Sequence, residues 1–153
     1  MKKVLIALDY GISAQQIAEK GFELAKSMNA EVTLLHVVAD QSYYEIIDSA
    51  PFALLYGYNF FNINDAVGVI DSSLNYLNKI KSHLKNETIE VQAIQGDFAT
   101  VILETAIKQN FDVIVIGSKS QNWLQKAVVG SVTESVVEKA TIPIFIIPIL
   151  ENK

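Results

Sequence analysis

Two clusters of small residues stand where a phosphate could be held: Gly117-Ser118-Lys119-Ser120 and Gly130-Ser131. The first follows Val113 to Ile116, a short β-branched run of the kind found in a strand buried on both faces. The second opens a helical pattern in which Ser131 and Glu134 have capping-box spacing. Ser131 is therefore expected to cap a helix and leave backbone N–H groups of its first turn pointing outward. Glycine admits an anion close to the backbone, and a helix N-terminus attracts negative charge through its dipole and its unpaired donors. The spacing Gly117-x-x-Ser120-x9-Gly130-Ser131 is neither a Walker A loop nor a Rossmann fingerprint, since Gly-Lys-Ser/Thr and G-x-G-x-x-G are both absent.

Little else in the chain could do covalent or acid–base chemistry. There are two histidines, His36 and His83, and no cysteines, so no Ser–His–Asp grouping, HExxH motif or His/Cys metal cluster can be assembled. His36 lies in an apolar run and reads as a hydrogen-bonded structural histidine. Asp9 ends the first apolar run; it could face the cradle, or begin a turn and cap the helix that follows. Lys119 could reach a phosphate, although a solvated lysine is the commoner case in a loop. Neither a catalytic residue nor a metal ligand is expected.

The elements that must position these residues follow from the pattern. At 153 residues, one domain spanning 1–153 is expected, with enough chain for a two-sided core. Half of the residues are hydrophobic, yet no apolar stretch is long enough to span a bilayer. The opening Lys2-Lys3 and the apolar run after it lack a cleavage site and end on Asp9, which fits a strand and not a signal peptide. A formal charge of −5 with no basic run argues against nucleic acid and anionic membrane as partners. The lack of cysteine is compatible with a reducing cytoplasm.

Val4 to Leu8 reads as the first strand. After Ser13, a plausible N-cap, Ile17, Ala18, Phe22, Ala25 and Met28 recur at helical spacing up to Asn29, a stop signal. Val32 to Val38 is a second strand, completing a right-handed βαβ unit. Gln41 to Asn64 concentrates aromatic residues around Pro51 and Gly57, and suits a packed loop or short helix, or a lid or partner surface beside the phosphate cradle. Asp65 to Leu84 keeps helical spacing until Asn86. Ile89 to Ile94 alternates like a strand near the sheet edge. Asp97 caps a helix whose stripe is Ile102, Leu103, Ala106 and Ile107. Trp123, Leu124 and Ala127 suit a short helix. Ile142 to Ile149, interrupted by Pro143 and Pro148, reads as an edge strand. This order predicts one open parallel sheet with helices on both faces, with ligand bound beyond the strand carboxyl ends. Asp9, His36-Val37 and Gly117 would then face one crevice.

VLIALD at 4–9, TLLHVV at 33–38, IQGDFATVILETA at 94–106, VIVIGSKS at 113–120, GSVTESVV at 130–137 and IPIFIIP at 142–148 together resemble the universal stress protein family across almost the whole chain. The loop is similar to that family's G-x-x-G-x9-G-(S/T) nucleotide loop, with Ser120 replacing the second glycine. The resemblance implies an α/β Rossmann-like fold with a five-stranded parallel sheet in the order 3-2-1-4-5, commonly dimeric through the last strand. It implies ATP or AMP as ligand, with Mg²⁺. By that resemblance Asp9 holds the ribose region, the backbone of Val37 reads adenine, and Ala7 lies under the nucleoside. Gly117, Ser120, Gly130, Ser131 and Val132 would cradle the phosphates. A Cβ at 120 costs of order 1 kcal/mol where the family glycine has a positive φ, while its hydroxyl offers a phosphate a donor.

The expected function is that of a cytoplasmic nucleotide-binding regulatory or stress-response protein, homodimeric through 142–148, with no nucleic acid or membrane partner. The alternative is a nucleotide-free interaction module of the same fold. An enzyme of a related fold fits less well. Asp9-Tyr10-Gly11-Ile12-Ser13 does not match the SGGxDS-type loop of ATP pyrophosphatases, and a phosphoacceptor receiver needs an acidic pair where only Asp9 stands. Without an obvious base, any ATP hydrolysis is expected to be slow or absent.

Overall fold

The computed structural model describes residues 1–39, 66–118 and 130–149. Five strands are present among them: β1 (Lys3–Leu8), β2 (Glu31–Val38), β3 (Glu90–Gln95), β4 (Val113–Gly117) and β5 (Ile144–Ile147). The four helices among these residues are α1 (Ala14–Ser27), α2 (Ala66–Leu84), α3 (Phe98–Lys108) and α4 (Ser131–Lys139). All strand pairs are parallel and the order is β3-β2-β1-β4-β5, the expected Rossmann-like sheet.

The unbroken apolar runs of β1, β2 and β4 exist because both faces of the sheet are covered. Val4, Ile6 and Leu8 pack with Val32 and Leu34 against Ala14, Ile17 and Ala18 of α1 and Leu77 and Ile80 of α2. Their neighbours Leu5, Ala7, Leu35, Val37, Ile114 and Ile116 face the other way, against Ala99, Ile102 and Ala106 of α3 and Val136 of α4. The alternation of the strand thus assigns each side chain to one of two helical layers.

Several punctuation marks behave as expected. Asn29 turns the chain after α1 at φ 53°, and the Asp97 carboxylate caps α3 by accepting from Thr100 N at 3.0 Å. Ser13 stands at the N-cap of α1 without a side-chain bond. Two elements end differently. Lys85, at φ 54°, makes the turn after α2, while the Asn86 side chain accepts from Thr88 N at 2.8 Å. β5 is shorter than the apolar run from Ile142 to Ile149, since the prolines at either end cannot donate to a ladder. β3 and β5 are the two edges. No helix among the described residues is long and apolar enough to cross a membrane. The aromatic segment 41–64, the loop with Lys119, Ser120 and Trp123, and the tail from Leu150 to Lys153 lie outside the described residues.

Candidate functional site

β1 is flanked by β2 on one side and β4 on the other, so strand order reverses beside it and a crevice opens at its carboxyl end. The backbone of β4 shows which groups face that crevice. Ile114 N donates to Pro143 O at 3.0 Å and Ser118 N to Ile147 O at 2.9 Å, so these residues point their peptide groups toward β5. Peptide groups alternate in direction along a strand, and those of Gly117 therefore point toward β1. The β1–β4 register ends at Ile6↔Val115, two residues before this position. The Gly117 carbonyl accepts instead from the buried Thr133 Oγ1 at 2.8 Å.

That bond fixes the start of α4 at the end of β4, and a second bond reinforces it: Gly130 N donates to Ser118 O at 2.9 Å. The N-cap of α4 is Gly130, at φ −59° and ψ 150°, and not Ser131 as the capping-box spacing predicts. Gly130 already holds the extended conformation of a cap, and its carbonyl takes the first helical bond from Glu134 N at 2.9 Å. Ser131 is moved into the first helical position, so the Ser131–Glu134 box does not form. The expected consequence survives in a stronger form. The N–H groups of Ser131, Val132 and Thr133 precede the first intrahelical bond, and no side chain among the described residues caps them.

Packing gives Gly117 a second reason to lack a side chain, beside anion approach. A Cβ there would lie 2.6 Å from Ile17 Cδ1 and 2.8 Å from Ile149 Cδ1, in the layer that holds α1. The missing side chain lets α1 close on the end of β4, on the sheet face away from α4.

On the other wall, Val38 O accepts from Gly96 N at 2.9 Å on the β3 side, so the peptide groups of Val37 point toward β1. β1 pairs with β2 only as far as Leu8↔His36, which places the Val37 backbone at the open end of that ladder. The side chains of Ala7 and Val37 are buried in the layer of α3 and α4. Asp9 follows in the same alternation, with Oδ1 accepting from Gly11 N at 2.9 Å in a tight turn. The fold therefore brings Ala7, Asp9, Val37, Gly117, Gly130, Ser131 and Val132 to one carboxyl-terminal edge of the sheet. Ser120 lies outside the described residues.

His36 is structural, as its apolar setting implies. Its Nδ1 lies 2.8 Å from the Leu8 carbonyl and must donate to it, which fixes the tautomer. Burial lowers its pKa despite the opposing effects of that carbonyl and the Asp9 charge, so the ring is neutral. Among the described residues no three His, Cys, Asp or Glu side chains are grouped to hold a metal. Sequence reasoning missed Thr133, although a threonine in the first turn of a helix behind a strand-ending glycine is a usable signal. It also missed Tyr10, Ser73 and Tyr76, whose partners are remote in sequence.

The fold agrees with comparisons to known proteins. The universal stress protein family profile matches residues 1–148. Universal stress protein A homolog 1 of Coxiella burnetii is 26% identical over 128 residues, covering 82% of this chain and 81% of that protein. A universal stress protein solved in complex with cAMP has a TM-score of 0.62 and 17% identity, covering 96% of each chain. A universal stress protein from Archaeoglobus fulgidus in complex with dAMP has a TM-score of 0.58 and 16% identity, covering 95% of this chain and 97% of that one. At these identities the solved structures establish a shared fold, while the family match extends over nearly every residue described above. The chain belongs to the universal stress protein family.

Proposed function

We propose that this protein binds an adenine nucleotide, ATP or AMP, in the crevice between the ends of β1 and β4, and acts as a cytoplasmic regulatory module of the stress response. The observation that carries this reading is the start of α4. Its uncapped N–H groups are held at the strand end by the Thr133–Gly117 and Gly130–Ser118 bonds. Such a terminus attracts an anion by about 0.3–1 kcal/mol through its dipole alone, before any hydrogen bond is counted. The residues fit the rest of a nucleoside phosphate. Val37 offers backbone groups to a base edge, Ala7 offers a small floor, and the Asp9 carboxylate offers acceptors to sugar hydroxyls. Ser120 would add a hydroxyl donor to phosphate, and Mg²⁺ accompanying bound ATP would offset phosphate charge.

The cAMP and dAMP carried by two proteins of similar fold support an adenine ligand. The reading assigns no general base and hence no efficient turnover: nucleotide would act by changing shape or partner. It includes a homodimer through β5. The deciding experiment is to denature the purified protein, identify any released nucleotide, and titrate the refolded protein with ATP and AMP by calorimetry. Saturable binding is expected. Absence of both released nucleotide and heat of binding would replace this reading with a nucleotide-free interaction module.

A further inference from the structure

Three consecutive residues at the end of β1 are each held from the sheet face opposite α4. Leu8 O accepts from His36 Nδ1 at 2.8 Å, and Asp9 O accepts from Tyr76 Oη at 2.8 Å. Tyr10 Oη lies 2.6 Å from Ser73 Oγ, and Ser73 Oγ donates its single proton to Val69 O at 2.9 Å. Tyr10 must therefore be the donor to Ser73. The rings are packed as well as bonded: Tyr10 lies 4.1 Å from His36 and 4.7 Å from Tyr76, both tilted. Val69, Ser73 and Tyr76 follow one another at helical spacing, so a single face of α2 supplies two of the three attachments.

The segment held in this way includes Asp9, whose own carboxylate is turned by its bond from Gly11 N. A carboxylate that must meet sugar hydroxyls has to stand within a few tenths of an ångström of its place, and its backbone sets that place. Burial, together with the charge of Asp9 and the neighbouring Tyr10, raises the Tyr76 pKa, so the phenol remains a donor through the neutral range.

We infer that Tyr76, supported by Ser73, is a positioning residue of the nucleotide site: from the far side of the sheet it sets where the Asp9 carboxylate meets the ribose. The inference rests on the adenine-nucleotide reading, and it adds a specificity. Asp9 accepts from ribose hydroxyls, so loosening it should erode the preference for ribose over 2′-deoxyribose more than it erodes adenine recognition. It also makes α2 a structural reporter of the site, because α2 and Asp9 share a hydrogen bond although they lie in different layers.

The test compares wild type, Tyr76→Phe and Ser73→Ala in two assays. Amide hydrogen exchange without nucleotide reads the Gly11 N–H, which faces the Asp9 carboxylate. Calorimetry reads AMP and dAMP. Tyr76→Phe keeps the ring and is expected to speed Gly11 exchange, weaken AMP about fivefold and weaken dAMP less, the size of one lost neutral hydrogen bond. Ser73→Ala should act in the same direction more weakly. A purely structural role would weaken both ligands equally with no local change at Gly11, and that result overturns the proposal. So does unchanged Gly11 exchange in both variants. If wild type binds neither nucleotide, the functional reading fails by itself, and the Gly11 exchange still decides whether Tyr76 positions Asp9.

Discussion

The Thr133 hydroxyl donates to the Gly117 carbonyl at 2.8 Å, tying the first turn of α4 to the last residue of β4. It completes an acceptor that lies beyond the end of the β1–β4 ladder, and it aims a helix terminus at the strand end. Thr133→Val keeps the shape and removes the donor, leaving a buried carbonyl without its partner. The expected cost is about 1–3 kcal/mol of stability, with weaker phosphate binding. Thr133→Ser should recover most of both. Urea denaturation of the three proteins gives the answer, and equal midpoints would show that the bond does not matter.

Gly130 holds torsions open to any residue, φ −59° and ψ 150°. Aspartate there would be a good N-cap, so Gly130→Asp should leave stability unchanged or raise it by a few tenths of a kcal/mol. The same carboxylate would occupy the N–H groups offered to phosphate and repel it. Nucleotide affinity is expected to fall at least about tenfold, or 1.4 kcal/mol. Calorimetry with ATP beside a thermal melt separates the two effects; undiminished ATP affinity would remove α4 from the site.

Much of this arrangement is legible in the sequence because burial on both faces demands a distinctive composition. Val113 to Ile116 could scarcely be anything but a central strand, and the prolines at 143 and 148 mark an edge. What the sequence conceals is the choice between equivalent local solutions. Ser131 has the right neighbour for a capping box, yet Gly130 takes the cap because its N–H is already drawn to Ser118 O. Gly117 reads as a phosphate glycine, and the sequence does not show that a side chain there would also press on Ile17 and Ile149. Tyr10, Ser73 and Tyr76 could not be joined by spacing at all, since only the fold brings β1 and α2 together.

The neutral, buried His36 predicts an acid sensitivity whose sign is fixed. Its folded pKa is lowered from the ordinary 6.5, so the unfolded chain takes up the proton first. Stability is unaffected above that value and falls as pH drops from it toward the folded pKa, at no more than about 1.4 kcal/mol per pH unit. Glu19, Asp97 and Asp112, all lowered, add their own losses only at lower pH, near and below their ordinary values of 4.5 and 3.8. His36→Asn retains a donor for Leu8 O and should flatten the decline between pH 6.5 and 5. Denaturation midpoints across that range test it, and parallel curves for both proteins would exonerate His36.

The proposed dimer has a narrow geometric requirement. Phe145 and Ile146 of β5 are 42% and 39% exposed. Pro143 O and Ile147 O are bonded to β4, so by alternation only Ile144 and Ile146 turn their peptide groups outward. β5 thus offers outward donors at two of its four residues. Two chains could still pair antiparallel about a two-fold axis through Ile144 and Ile146 and cover both apolar edges. Sedimentation equilibrium is expected to give a dimer at micromolar concentration, and Ile146→Asp a monomer or aggregate. A monomeric wild type would refute it.

The bond from Gly130 N to Ser118 O has a consequence for how the family's loop can vary. The chain leaves the site at Ser118 and rejoins it at Gly130, and one 2.9 Å contact fastens exit to re-entry. Closing a longer excursion between fixed ends costs only about 0.6 kcal/mol for each doubling of its length. A change of length between these two residues is thus cheap while β4 and α4 keep their places, much as a lock plate can be changed without rehanging the door.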